Sequence, residues 1–121
     1  MLNERRRFSR HKAWIACSVS VAHEREGDPK SHTRKILGHT FDLSADAIAI
    51  VLPANETYGI EPSSLGTSVE VVLALPTGYV SLSCSLVRHV PLPSQENLVV
   101  FSIVEENEMY HAHLKTLTHN S

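Results

Sequence analysis

Val69-Glu70-Val71-Val72-Leu73-Ala74-Leu75-Pro76-Thr77-Gly78-Tyr79-Val80-Ser81-Leu82-Ser83-Cys84-Ser85-Leu86 is the stretch that decides the fold. Val69, Val71, Leu73 and Leu75 fall at every second position, and so do Val80, Leu82, Cys84 and Leu86. A period of two places one face of an extended strand in a core. Between the two runs stands Pro76-Thr77-Gly78, a hairpin signal, so the stretch predicts two antiparallel strands joined by a tight turn.

The same period runs outward in both directions. Toward the N-terminus, Ile15, Cys17, Val19 and Val21 alternate with Ala16, Ser18 and Ser20, which predicts a first strand. The polar stretch from His23 to Thr33 contains the turn formers Gly27, Asp28 and Pro29 and reads as an exposed loop. Leu37, His39, Phe41 and Leu43 share a second alternating face, and Ile48, Ile50 and Leu52 resume it after the interruption Ser44-Ala45-Asp46. Two strands joined by a tight turn follow from that pattern, with His39 read as a hydrogen-bonded core histidine. Residues Pro53 to Gly66 read as a loop. Toward the C-terminus, Pro91 and Pro93 break the strand begun at Val80, and Val99, Phe101 and Ile103 supply a sixth. Six short strands at near-regular spacing predict a mainly β chain, a six-stranded antiparallel barrel. Tyr110, Leu114 and Leu117 change the period to that of one helical face. Glu105, Glu106 and Glu108 lie toward its start and Lys115 near its end, where the macrodipole favours each sign, so a C-terminal α-helix is expected to pack on the barrel.

At 121 residues, with 42% hydrophobic and 20% charged, the chain suits one modest core and neither a disordered tail nor a membrane-embedded protein. Its formal net charge of -2 argues against coating nucleic acid. Cys17 and Cys84 lack the paired spacing of a zinc or redox site and read as reduced thiols. No signal peptide is legible and no apolar segment is long enough to cross a bilayer, so the expected location is cytoplasmic.

Charge is concentrated where the strands begin. Residues 5 to 12 read Arg-Arg-Arg-Phe-Ser-Arg-His-Lys, in which Arg6 and Arg10 are four apart and Arg5 precedes them. Asp42-Leu43-Ser44-Ala45-Asp46-Ala47 lies at the turn between the second and third predicted strands. Taken together, in this order, the two motifs resemble those of the PilZ domain family, bacterial receptors for cyclic di-GMP. The family patterns are Arg-x-x-x-Arg, then Asp or Asn, any residue, Ser, two residues and Gly. Ala47 departs from that pattern, standing where the family has Gly. The resemblance runs over essentially the whole chain and implies a PilZ-like barrel with cyclic di-GMP bound by Arg5, Arg6, Arg10, Asp42, Ser44 and Ala47.

The residue types suit such a ligand. An Arg fork can engage the O6 and N7 acceptors of guanine bidentately, stack on a base plane or pair with a phosphate oxygen. Asp42 supplies an acceptor for the ring N–H and amino donors of guanine, and Ser44 a hydroxyl for a phosphate oxygen. Arg5 is positioned to reach a second stacked nucleotide. The Asp-x-Ser turn also has a purely structural reading, a side chain capping its own turn.

These features divide the chain into a flexible basic arm over 1–12, carrying the Arg motif, and a barrel with C-terminal helix over 13–121. The expected mechanism is an arm that orders over the ligand. Because the motif begins a few residues after Met1, the output is expected to pass to a separate effector protein. The alternative is a PilZ-like protein-interaction module, for example in pilus or motility assembly, that does not bind nucleotide; Ala47 favours it. A barrel for single-stranded nucleic acid ranks last, because aromatics do not interleave with the charges beyond Phe8. No cofactor, metal site or specific nucleic-acid partner is expected: the eight histidines are scattered, with no His-x-x-x-His pair on a helix. No nucleophile elbow or isolated carboxylate pair points to catalysis. Trp14 reads as a strand-surface or barrel-end residue and Tyr110 as helix packing.

Overall fold

The period-two runs form the strands they predict. In the computed structural model, which describes residues 10–23, 32–57 and 66–119, the chain order is β1 (His11–Lys12), β2 (Ala16–His23), β3 (His32–Leu43), β4 (Ala47–Pro53), a 3-10 turn (Ala54–Glu56), β5 (Ser68–Leu75), β6 (Gly78–Pro91), β7 (Glu96–Ile103) and α1 (Glu108–His119). The sheet order is β1-β3-β2-β5-β6-β7-β4, and β4 pairs back onto β3. Six strands therefore close into an antiparallel barrel, which removes the open edges of a small sheet. His11 and Lys12, the last two residues of the segment read as an arm, belong to this sheet as β1.

Pro76 and Thr77 form the β5–β6 turn, with Leu75 paired to Gly78. Gly78 has φ +132°, where a side chain is disfavoured, and this is why the hairpin ends on glycine. β6 ends at Pro91, where the prolines were expected to break it. Proline is tolerated there because it is the terminal residue of the strand.

Inside, Val19, Ile36, Leu43, Ile48, Ile50, Leu52, Val71, Leu73, Leu82, Val99 and Phe101 are almost fully buried. Each such side chain contributes about 1.5–3 kcal/mol, against roughly 0.5–1.5 kcal/mol net for a hydrogen bond. The ladder thus sets the register and the core supplies most of the stability. Asn107 caps α1, its Oδ1 accepting the Tyr110 backbone N–H at 3.0 Å. Tyr110, Leu114 and Leu117 then face the barrel, packed with Ala13, Ala45 and Ile103 against the core.

β3 departs from the expected pattern. Leu37 and Phe41 are exposed, Ile36 is buried in their place, and His39 lies on the outer face rather than in the core. The cause is a bulge: Thr40 pairs with Ile50 and Asp42 with Ala49, so Phe41 is an extra residue and the inward parity switches between Thr40 and Leu43. Gly38 lies where β3 runs close against Val51 and Leu52 of β4. A Cβ there would sit 2.3 Å from the Val51 carbonyl oxygen and 2.6 Å from Leu52 Cδ2, so only glycine fits this crossing.

Candidate functional site

The site is built where β1 runs beside the end of β3. Lys12 pairs with Asp42 and His11 with Leu43. Leu43 enters the core, and the bulge at Phe41 leaves Asp42 partly exposed on the outer face. Arg10, exposed and one residue before β1, is carried by this pairing toward the Ser44 end of the motif turn. Arg10 and Asp42, 32 positions apart in the chain, are thus brought to one edge of the barrel. Arg5 and Arg6 lie outside the described residues.

Ser44 is placed differently. It is 4% exposed, and its hydroxyl donates to Asp46 Oδ1 at 2.9 Å and accepts the Ala47 N–H at 3.2 Å. The Ser44 N–H donates to the Ala47 carbonyl at 2.9 Å, and the Asp46 carbonyl accepts from the Ile103 N–H at 2.9 Å. In this structure the serine caps its own turn, which fixes the shape of the motif. The Tyr110 hydroxyl donates to the Ser44 carbonyl at 2.6 Å, tying α1 to the same turn. Burial first, then the nearby Cys84, Asp46 and Asp42, raises the Tyr110 phenol above its ordinary range, while the Ser44 bond opposes that rise. It stays a protonated donor at neutral pH. Ala47 opens β4, paired with Ser102, and lies outside the positive-φ region.

Next to this turn the backbone is interrupted between β1 and β2. Thr40, buried, bridges the gap: its hydroxyl donates to the Ala13 carbonyl and accepts the Ile15 N–H at 2.9 Å. The Thr40 N–H in turn donates to the Ile15 carbonyl at 2.9 Å. The interruption turns Trp14 outward, 71% exposed, and its ring stacks on His39 at 4.9 Å between centroids and 17° between planes. Lys12 Nζ lies 5.5 Å from the centroid of the half-exposed Phe41 ring. Lys12, Trp14, His39 and Phe41 border a shallow depression of about 290 Å³. Sequence reasoning missed this cluster, because the period-two rule assigned His39 to the core and nothing in the pattern announced a bulge.

The described residues hold no group of three His, Cys, Asp or Glu side chains suited to a metal ion. Cys17 and Cys84 are buried, and burial pushes both thiols up to about 12, so neither is a thiolate nucleophile at neutral pH. No helix among the described residues is long and apolar enough to cross a membrane.

Fold and site define a closed six-stranded barrel with a short added strand, β1, that brings Arg10 toward an Asp-x-Ser turn anchored by a C-terminal helix. The PilZ domain model matches residues 4–119, and the chain belongs to that family. No curated protein sequence matches it. Among solved structures it is similar to the inhibitor of motility MotI/DgrA of Bacillus subtilis, with 20% identity and a TM-score of 0.69 over 98% of this chain and 51% of that one. The PilZ domain of YcgR from Escherichia coli with c-di-GMP gives 15% identity and 0.60 over 97% and 94%. The MrkH–c-di-GMP complex of K. pneumonia gives 11% and 0.62 over 98% and 52%. At these identities the likeness shows the fold alone. The chain spans about half the length of the MotI and MrkH chains.

Proposed function

We propose that this protein is a cytoplasmic bacterial receptor for cyclic di-GMP, bound at the barrel edge to which β1 carries Arg10 beside the end of β3 that holds Asp42. The observation that supports the reading is the β1–β3 pairing: within a PilZ barrel, it carries Arg10 toward the Asp-x-Ser turn although the two are far apart in sequence. Two similar structures hold c-di-GMP on the same fold. Arginine forks from Arg6 and Arg10 take guanine acceptors and phosphate oxygens, Asp42 takes guanine donors, and Arg5 reaches a second nucleotide. The Ser44 hydroxyl holds the turn, and its part in binding is to present Asp42. The basic segment before β1 closes over the ligand, and the closed form is what a separate effector protein recognises.

Calorimetric titration tests this, with GTP and cyclic di-AMP as controls. Saturable heat with cyclic di-GMP is expected, weakened by added salt because part of the attraction is between exposed charges. Arg10→Ala should lose at least tenfold in affinity, since a bond to a charged group contributes about 1.5–3 kcal/mol. Ala47 in the family's glycine position favours a second reading, a PilZ-type module that binds a protein partner and no nucleotide. Absence of heat with cyclic di-GMP would select it.

A further inference from the structure

Two separate irregularities in the backbone re-aim side chains at one place on the outer face. The break between β1 and β2, bridged by the Thr40 hydroxyl, turns Trp14 outward, and the bulge at Phe41 follows His39 and brings Asp42 out beside Lys12. Bulges that re-aim side chains concentrate next to binding sites. Their result here is a shelf whose aromatic rings are continuous with the proposed cyclic di-GMP edge. Trp14 is 71% exposed while one face of its ring is held parallel to His39. A large ring held in a fixed orientation and left open to solvent is a preformed stacking surface.

The shape and charge of the shelf select its occupant. A shallow depression of about 290 Å³ accepts a flat ring more readily than a bulky side chain. Lys12 supplies positive charge in its lining, and the β1–β3 register sets Asp42, a hydrogen-bond acceptor, opposite Lys12, with Arg10 two residues before Lys12 in the chain. Planar ring, phosphate and amide-type donors are the features of a guanine nucleotide, and stacking of a base on an aromatic ring works without an enclosing pocket. We infer that Trp14, braced by His39, is the stacking platform for one guanine of cyclic di-GMP, with Lys12 beside it meeting the phosphate. This rests on the receptor reading above and adds a contact outside the arginine and Asp-x-Ser motifs.

Trp14 is the chain's single tryptophan, so its emission reports on the platform directly. Cyclic di-GMP added to the full chain should quench that emission, saturating together with the calorimetric heat. Trp14→Ala should weaken binding on the order of tenfold while leaving the thermal midpoint nearly unchanged, because the side chain is mostly solvated. Trp14→Phe, which keeps a ring, should recover part of the affinity. Heat without a change in emission, or equal affinity in Trp14→Ala, overturns the platform and leaves the receptor reading standing; the exposed face would then be assigned to a protein partner. Absence of both heat and quenching overturns the two together.

Discussion

Replacing Tyr110 by phenylalanine isolates the bond that ties the helix to the motif turn. The ring is fully buried and Phe keeps it, so packing is preserved and only the hydroxyl is lost. The Ser44 carbonyl then loses a partner at 2.6 Å in a place where Ser44 itself is 4% exposed, so water replaces the partner poorly. Leaving a buried acceptor without its donor costs about 1–3 kcal/mol. For a chain of this size each kcal/mol lowers Tm by about 4 °C, so the variant should melt roughly 4–12 °C below wild type. Thermal and urea unfolding followed by circular dichroism measure it, with the urea slope unchanged because the buried surface is unchanged. A Tm within a degree of wild type would mean that the bond contributes nothing and that the helix is held by apolar packing alone.

Gly38→Ala should destabilise the barrel by about 1–3 kcal/mol or more, because the new Cβ meets the Val51 backbone rather than a side chain that can yield; an unchanged urea midpoint would show that the strands separate freely. Ala47→Gly should lower stability by about 0.5–1 kcal/mol, since the position does not need positive φ. It should also tighten cyclic di-GMP binding by up to about fivefold if the methyl crowds the ligand, and calorimetry and melting on the same two proteins separate the effects. Alkaline pH should destabilise the fold. Burial lifts Cys17 and Cys84 from 9.0 to about 12 and raises Tyr110 as well, so the unfolded chain loses these protons first and stability, intact below pH 9, falls as pH rises toward 12. A flat urea midpoint across that window would contradict the burial argument.

The hairpin around Pro76-Thr77-Gly78 and the inward faces of β5, of β6 as far as Leu86 and of β7 were legible because an uninterrupted period of two specifies a strand with one buried face; beyond Leu86 a second irregularity, at Val87, breaks the period in β6. The helix was legible from Tyr110, Leu114 and Leu117. β3 was not, because a single extra residue at Phe41 inverts every assignment on one side of it, and the signal for that bulge lies in its pairing with β4 rather than in the local pattern. The bond from Tyr110 to Ser44 spans 66 positions and joins a phenol to a backbone carbonyl, for which no side-chain motif exists. Thr57 and Asn97 were hidden for a similar reason: both are buried, and Asn97 Nδ2 donates to Thr57 Oγ1 at 2.7 Å to hold the 3-10 turn against β7. Within the site, the motifs singled out Arg10 and Asp42, which the β1–β3 register carries to one side of the barrel, whereas the Trp14–His39 stack needed the three-dimensional course of the chain.

The most direct test of the receptor reading is a pair of amide correlation spectra of the full chain, with and without saturating cyclic di-GMP. Shifts should concentrate at Arg10 to Trp14 and at His39 to Ala47, with the amides of β5 and the β5–β6 turn little moved. Unchanged spectra, or shifts centred on β5 and β6 instead, would contradict that reading.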